Sequence, residues 1–225
     1  MNAQEVLATL KRLGKPQTAA IYKRHGSGSN VFGVLTSEIG KLQKKIKIDH
    51  ALAMELWKTG NAEARVLALQ VADPQKLTRA DAERLLKDGP VRFIGLYLSG
   101  LVARSPIGEE TMRAWMDSPD EFPREIGYGI FGARLKDDSG SMSDSDAERV
   151  LTTIEREIHR SPNWARYAMN VAVISIGVYK PALRKKAIEA AKRIGKVEVD
   201  HGETSCKTPD AAPYIEKASK RKRCP

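Results

Sequence analysis

Residues 49–74 read DHALAMELWKTGNAEARVLALQVADP, and this stretch decides the fold. Asp49 precedes apolar residues at positions 52, 53, 56 and 57, a spacing that places them on one face of a helix. An aspartate ahead of such a run is a typical N-cap, because its carboxylate accepts hydrogen bonds from free backbone N–H groups. Gly60-Asn61 interrupts the pattern, which continues from Val66 to the stop at Asp73-Pro74. The segment therefore predicts two helices joined by a tight turn.

The same helical spacing recurs on both sides of this hairpin. Thr78 and Asp81 have the spacing of a capping box, and Ser143 with Asp146 repeats it further along the chain. The stretch 91–103 is almost wholly apolar and should be buried, and no segment has the alternation of a strand. We predict an all-α protein of about ten helices in antiparallel pairs. Such pairs form either a curved α-solenoid of stacked repeats or a compact bundle, and the spacing alone fits both nearly equally.

The net charge of this 225-residue chain is +10, and it is concentrated at the two ends. Residues 1–50 carry nine Lys or Arg against three Asp or Glu, and residues 180–225 carry thirteen against six. Contacts from Lys and Arg to phosphate supply most of the non-specific affinity for nucleic acid, so the ends fit a polyanion. The chain lacks an export pattern and a long apolar run, which predicts a cytoplasmic protein with no membrane contact. Cys206 and Cys224 are expected to be thiols there.

Two clusters of basic residues are the candidate phosphate contacts. One lies in the N-terminal helices and the other in the last long helix; together they comprise Lys23, Arg24, Lys41, Lys44, Lys45, Lys180, Arg184 and Lys185. Lys186, Lys192 and Arg193 crowd the same last helix. A solvated helix face is the alternative for either cluster. The run 220–223 would add affinity without specificity. The glycine-rich loop 26–30 is predicted to be a flexible turn near the DNA backbone, because it lacks the lysine of a nucleotide phosphate loop.

The C-terminal tail collects residue types that suit acid–base chemistry. His201 and Glu203 are weak catalytic candidates, because the pKa of histidine is easily tuned near neutral pH. One His and one Cys match no common zinc pattern, so we expect no metal and no cofactor. The favoured interpretation is structural, with polar side chains pinning the tail to the repeats. Tyr128 and Trp164 are the candidate base-stacking aromatics, against core packing as the usual role.

Several segments carry a family resemblance. They are IYKRH at 21–25, VFGV at 31–34, KLQKKI at 41–46, Glu55-Leu56-Trp57 with Glu63-Ala64-Arg65, and the stretch 164–194. In order and spacing they resemble the HEAT-like-repeat DNA alkylation-repair family, the AlkD-type DNA glycosylases, over most of residues 15–195. The stretch 195–215 resembles the tail of a distinct branch of that superfamily. The resemblance implies the solenoid, with a repeat domain at 1–195 and a tail with a short helix and a basic end at 196–225.

The resemblance also implies a function. Members of this family bind double-stranded DNA through its phosphate backbone and excise cationic alkylated bases, using Trp side chains and an Asp that stabilises positive charge on the sugar. The helix expected to carry that Trp and Asp reads VRFIGLYLS at 91–99 and contains neither, and the later Trp falls near Asn170-Val171. We therefore expect a monomeric DNA-binding protein in which excision is absent or slow. The alternative is a non-catalytic repeat scaffold for branched or damaged DNA or for a protein partner.

Overall fold

The computed structural model describes residues 1–89 and 91–221, and this part of the chain is helical without strands. Its α-helices are α1 (Ala3–Leu13), α2 (Pro16–Arg24), α3 (Thr36–Ile46), α4 (His50–Lys58), α5 (Ala62–Val71), α6 (Arg79–Asp88), α7 (Val91–Ala103), α8 (Gly108–Met116), α9 (Glu121–Asp137), α10 (Asp144–Glu157), α11 (Asn163–Tyr179), α12 (Arg184–Ile194) and α13 (Ala211–Arg221). Short 3-10 turns precede α6, α10, α11 and α12. Pro90, Lys222, Arg223 and Cys224 lie outside the described residues, so the predictions made for them have no structural counterpart here.

The helical hairpin predicted within residues 49–74 is confirmed as α4 and α5. The Asp49 carboxylate accepts from the N–H of Leu52 at 3.0 Å, and the Asn61 side chain caps α5 through the N–H of Ala64, also at 3.0 Å. The Asp49 N–H donates to the Val71 carbonyl at 2.8 Å, which closes the pair at its open end. The capping box at Thr78 forms as well, and at Ser143 the hydroxyl accepts from the Asp146 N–H at 3.0 Å and donates to the Asp146 carboxylate at 2.6 Å. These local signals fix where the helices start.

The described chain forms two compact units. The first comprises residues 1–108 with 202–204, and the second comprises 109–201 with the chain from 205 onward. This division does not coincide with the boundary predicted at 195, because α13 packs against α11 and α12 within the second unit. No helix in the described ranges is long and apolar enough to cross a bilayer.

Helix α7 departs from the prediction that it would be buried throughout. Ile94, Leu98 and Leu101 are fully buried along one face. Leu96 points the other way and is 81% exposed. A helix packed on one side leaves residues about 200° away from its buried stripe in solvent, whatever their polarity. Composition predicted the burial of this helix, but packing decides which of its faces is covered.

The second unit is built around α11. This helix packs on α9 and α12, and α13 crosses it at Gly177. A Cβ at residue 177 would lie 2.6–2.8 Å from the side-chain carbons of Ile215, a distance that ordinary packing does not allow. Ile215 is itself fully buried. The glycine therefore permits the close approach of α13 to α11.

Candidate nucleic-acid interface

A buried carboxylate holds the segment that joins α2 to α3. Glu63, on the first turn of α5, is 0% exposed. Its Oε1 accepts from the backbone N–H groups of Gly33 at 2.5 Å and Val34 at 3.0 Å, and its Oε2 accepts from Phe32 at 3.1 Å. These three N–H groups belong to extended chain outside any helix, so the carboxylate supplies the partners that secondary structure does not. Glu63 thus has a structural role.

Helix α2 lies on the same segment. The Lys15 N–H donates to the Gly33 carbonyl at 3.0 Å, and the Tyr22 hydroxyl donates to the Val34 carbonyl at 2.9 Å. Gly33 has a φ of +84°, and a Cβ there would lie 2.1 Å from the Lys15 carbonyl oxygen. No other residue fits this position, because every side chain begins with that atom. These contacts, one between backbone groups and one from the Tyr22 hydroxyl, therefore fix α2 against the segment that leads into α3.

The basic residues predicted on α2 and α3 are exposed. Lys23 and Arg24 occupy the last turn of α2, and Lys44 and Lys45 the last turn of α3. None of these four makes an ion pair or a side-chain hydrogen bond with another described residue. The fifth, Lys41, pairs with Glu38 at 2.7 Å while its side chain stays 71% exposed, and such a surface pair contributes little. We call these five residues the α2–α3 basic surface.

The turn from α3 to α4 extends this surface in a way that sequence reasoning missed. Lys47 and Ile48 are both exposed, and Ile48 is 64% exposed. Lys47 continues the lysine pattern of α3, a signal that was available in the sequence. The exposure of Ile48 was not available, because its apolar side chain predicts burial.

The glycine-rich loop 26–30 is anchored at both ends. The Ser27 N–H donates to the Tyr22 carbonyl at 3.1 Å, and Asn61 donates to the carbonyl and side-chain oxygens of Asn30 at 3.3 Å. Gly26 lies against the side-chain stem of Arg92 on α7. Gly28 has a φ of +79° with open space beside it. These contacts hold the loop beside the last turn of α2, which carries Lys23 and Arg24.

Lys180 has a structural role, and this corrects its prediction as a phosphate contact. Its side chain is 8% exposed, and its ammonium donates to the Met142 carbonyl and lies 3.1 Å from the Asp144 carboxylate. The charge is therefore compensated inside the second unit, where it joins the loop before α10 to the end of α11. The residue type predicted an exposed cation, and burial is rare for lysine unless it is paired in this way.

Of the cations on α12, Lys186 and Arg193 have close carboxylate partners, and Lys192 is exposed without a partner among the described residues. Lys186 lies 2.5 Å from Glu148, and both Nε and a terminal nitrogen of Arg193 donate to Glu155, at 2.5 and 3.0 Å. The hydrogen bonds from Arg193 hold the pKa of the Glu155 carboxyl below its usual range. These pairs link α12 to the acidic face of α10. Two predicted phosphate contacts remain besides Lys180. Arg184 donates to the Gly177 carbonyl at 3.0 Å, and Lys185 stays 90% exposed, 4.0 Å from Glu189.

The C-terminal tail is pinned by side chains of α11. Asn163 exchanges two 2.8 Å hydrogen bonds with the backbone of Asp200, Arg166 donates to the Glu198 carbonyl at 2.9 Å, and Asn170 donates to the Pro209 carbonyl at 2.9 Å. The three donors are spaced three and four residues apart and share one helix face. The tail was expected to supply the pinning side chains, and these three hydrogen-bonding side chains come from the helix. Asn170, near the position of the family's later Trp, holds the tail.

His201 is packed in an aromatic setting. Its ring lies 5.7 Å from Trp164 and 5.6 Å from Tyr167, edge to face, and its Nε2 is 3.0 Å from the Thr208 hydroxyl. Glu203 is exposed. Within the described part of the chain, no three His, Cys, Asp or Glu side chains converge on a common point. The His201 contacts serve to hold the tail; catalysis by His201 and Glu203 remains a prediction.

The two aromatic candidates differ in accessibility. Tyr128 is 2% exposed, and burial raises the pKa of its phenol to about 12, so its prediction as a stacking platform is wrong. Trp164 is half-buried against Tyr167 and His201. On α7, Phe93 packs against Tyr22 with ring centroids 4.9 Å apart. Among the rings named here, Tyr128 lies in the core, and the half-buried ones pack against a neighbouring ring.

Comparisons with known proteins agree on one family. The family model described as DNA alkylation repair enzyme matches residues 6–215. The uncharacterized protein Lin0241 of Listeria innocua is 31% identical, with 94% of this chain and 95% of the relative covered. Lmo0209 of Listeria monocytogenes is 29% identical with the same coverage. A solved structure matches with a TM-score of 0.90 and 29% identity over 99% of this chain and 96% of its own; it is described as a new family related to the HEAT-like repeat DNA glycosylases with affinity for branched DNA structures.

Proposed function

This chain belongs to the DNA alkylation repair enzyme family and has its HEAT-like repeat fold, and we propose that it is a cytoplasmic monomer that binds double-stranded and branched DNA through phosphate contacts. The α2–α3 basic surface makes these contacts. Phosphate contacts position a protein without reading bases, so the binding depends on the shape and charge of the DNA more than on its sequence. The affinity of the structural relative for branched DNA supports the inclusion of branched substrates.

One observation carries the proposal, namely the contrast between the two basic clusters. On α12, Lys186 and Arg193 are already paired with carboxylates of α10, which leaves Lys185 and Lys192 as the exposed cations of that helix. On α2 and α3, four exposed cations have no carboxylate partner among the described residues. A cation without a partner gains most from a phosphate, because nothing has to be displaced before binding. Arg184 and Lys185 therefore contribute less than the α2–α3 basic surface in this proposal.

Residues 91–99 contain neither Trp nor Asp, so we do not expect glycosylase catalysis from this chain. Positive charge that develops on a sugar requires a nearby negative or aromatic surface. At the start of α7 the chain offers a cation, Arg92, and the aromatic Phe93, whose ring already packs on Tyr22. We propose that the protein holds branched or damaged DNA and does not cleave the glycosidic bond.

Reversing two charges of this surface is expected to weaken DNA binding. In the double variant Lys44→Glu with Lys45→Glu, we expect affinity for duplex and branched DNA to fall about ten-fold or more at low salt, with the salt slope smaller by about 2. The loss should be alike for unrelated sequences, because phosphate contacts carry no sequence information. Fluorescence anisotropy with labelled DNA measures both quantities.

The matched control reverses Lys76 and Lys87 in the same unit. Both are exposed, neither is in the proposed interface, and the change in net charge is identical. We expect the control to retain most of its affinity. Equal losses in the two double variants would mean that total charge, and not the α2–α3 basic surface, governs binding.

A further inference from the structure

The turn between α3 and α4 has a backbone conformation that its sequence does not favour. Lys47 has φ 64° and ψ −124°, and it is the one residue other than glycine with a positive φ in the ranges that the structure describes. These angles belong to the first central position of a type II′ turn, where glycine is the usual residue. A lysine there is strained, because its Cβ crowds the neighbouring backbone.

The contacts that hold the turn do not require a lysine. The Lys47 N–H donates to the Gln43 carbonyl at 2.8 Å and ends α3, and the Asp49 N–H donates to the Val71 carbonyl at 2.8 Å. All four groups are backbone groups that glycine at residue 47 would leave intact. The lysine side chain makes no ion pair or hydrogen bond with another described residue. The strained backbone at Lys47 is not offset by any side-chain contact within the described fold. This indicates that the lysine side chain contacts something outside the protein.

The residues around this turn indicate what that contact is. Ile48, 64% exposed at its tip, lies one residue beyond Lys47 and three beyond Lys45. Lys44, four residues before Ile48, is also exposed. The local carboxylate, Asp49, is occupied as the cap of α4. The turn therefore presents an exposed, β-branched apolar side chain within four residues of three exposed lysines, and that charge selects a polyanion as its occupant.

We propose that the Lys47–Ile48 turn is an insertion element for interrupted duplex DNA. Lys44, Lys45 and Lys47 hold phosphates beside the interruption, and Ile48 packs against the bases that are left unstacked there. Apolar side chains inserted at base steps are a common way to recognise deformable DNA, and the cost of unstacking is lowest where stacking is already broken. This inference rests on the proposed function and adds to it the feature of DNA that the protein selects.

Two variants at residue 47 separate strain from contact. Lys47→Gly is expected to raise the Tm by about 3 °C, because it removes the strain. Lys47→Ala removes the same side chain and keeps the Cβ, so its Tm should not rise. Both should lower the salt slope of DNA binding by about 1. A rise in Tm for both variants, or unchanged DNA binding in both, would contradict the assignment.

Ile48→Thr tests the insertion itself, because it keeps the β-branch and removes apolar surface. Affinity for a three-way junction should fall about five-fold, while affinity for intact duplex stays unchanged. The fluorescence of 2-aminopurine at the branch point should rise on binding the unmodified protein and rise less with the variant. If the unmodified protein binds no DNA, the proposed function fails along with this inference. If it binds DNA and Ile48→Thr changes neither readout, only the inference fails, and an acidic protein partner becomes the better occupant.

Discussion

Replacing Glu63 with alanine is expected to destabilise the first unit by about 3–5 kcal/mol. The carboxylate is fully buried and accepts three backbone N–H groups, from Phe32, Gly33 and Val34. Its removal leaves buried donors without partners, and each such donor costs about 1–3 kcal/mol. Urea denaturation followed by far-UV circular dichroism measures the loss. Because this segment fixes α2 against α3, DNA affinity should also fall under conditions where the unit remains folded.

Two further variants are compared with Glu63→Ala to judge its loss of stability. Glu63→Gln keeps one acceptor oxygen and turns an N–H donor towards the remaining backbone donor, so we expect about half of the alanine effect. Glu55→Ala removes an exposed carboxylate from α4, which packs directly on α5, and should change stability by less than about 0.5 kcal/mol. If Glu63→Ala were as mild as Glu55→Ala, the three hydrogen bonds would not hold the segment.

The contact between α11 and α13 is expected to give the second large effect. Ile215→Ala empties a fully buried site and should cost about 2–5 kcal/mol. Gly177→Ala should cost about 1–3 kcal/mol by overpacking, because its new Cβ would lie 2.6–2.8 Å from the Ile215 side chain. The double variant should be more stable than the sum of the two losses predicts, by about 1 kcal/mol or more, since the added methyl occupies the space that Ile215 leaves.

Thermal and urea unfolding of the four proteins complete this double-mutant cycle. Ala187→Gly on α12, a buried small residue, serves as the control for changes at small positions on a neighbouring helix and should be additive with Ile215→Ala. Additive losses for Gly177→Ala and Ile215→Ala would show that the two positions do not share space. In that case the close approach of α13 to α11 would not be what seats the last helix.

Helix starts could be read from the sequence because their causes are local. Asp49 and Thr78 cap the helices that follow them through side-chain contacts within three residues. A local contact needs no knowledge of the rest of the chain, so spacing alone predicts it. The all-α fold was predictable for the same reason, whereas the HEAT-like repeats were predicted from the family resemblance, because spacing alone fitted a compact bundle nearly as well.

The candidate site was less predictable, because pairing across helices decides which cations are available. Lys186 and Arg193 meet carboxylates of α10 that lie 38 residues away in the chain. Lys180 donates to the backbone carbonyl of Met142, which is also 38 residues away. No spacing rule connects such residues, so the two basic clusters were indistinguishable in the sequence. Ile48 was missed for a related reason: an apolar residue predicts burial, and only the fold leaves this one at the tip of a turn.

The salt dependence of DNA binding tests the central claim most directly. Anisotropy titrations of the full chain with a labelled three-way junction and a matched duplex, over a series of salt concentrations, give the slope of log affinity against log salt. If the five cations of the α2–α3 basic surface each meet a phosphate, they should contribute about −4.5 to the slope for both substrates, and the Lys47 contact about −1 more. An affinity that does not change with salt, or no binding at low salt, would contradict the account.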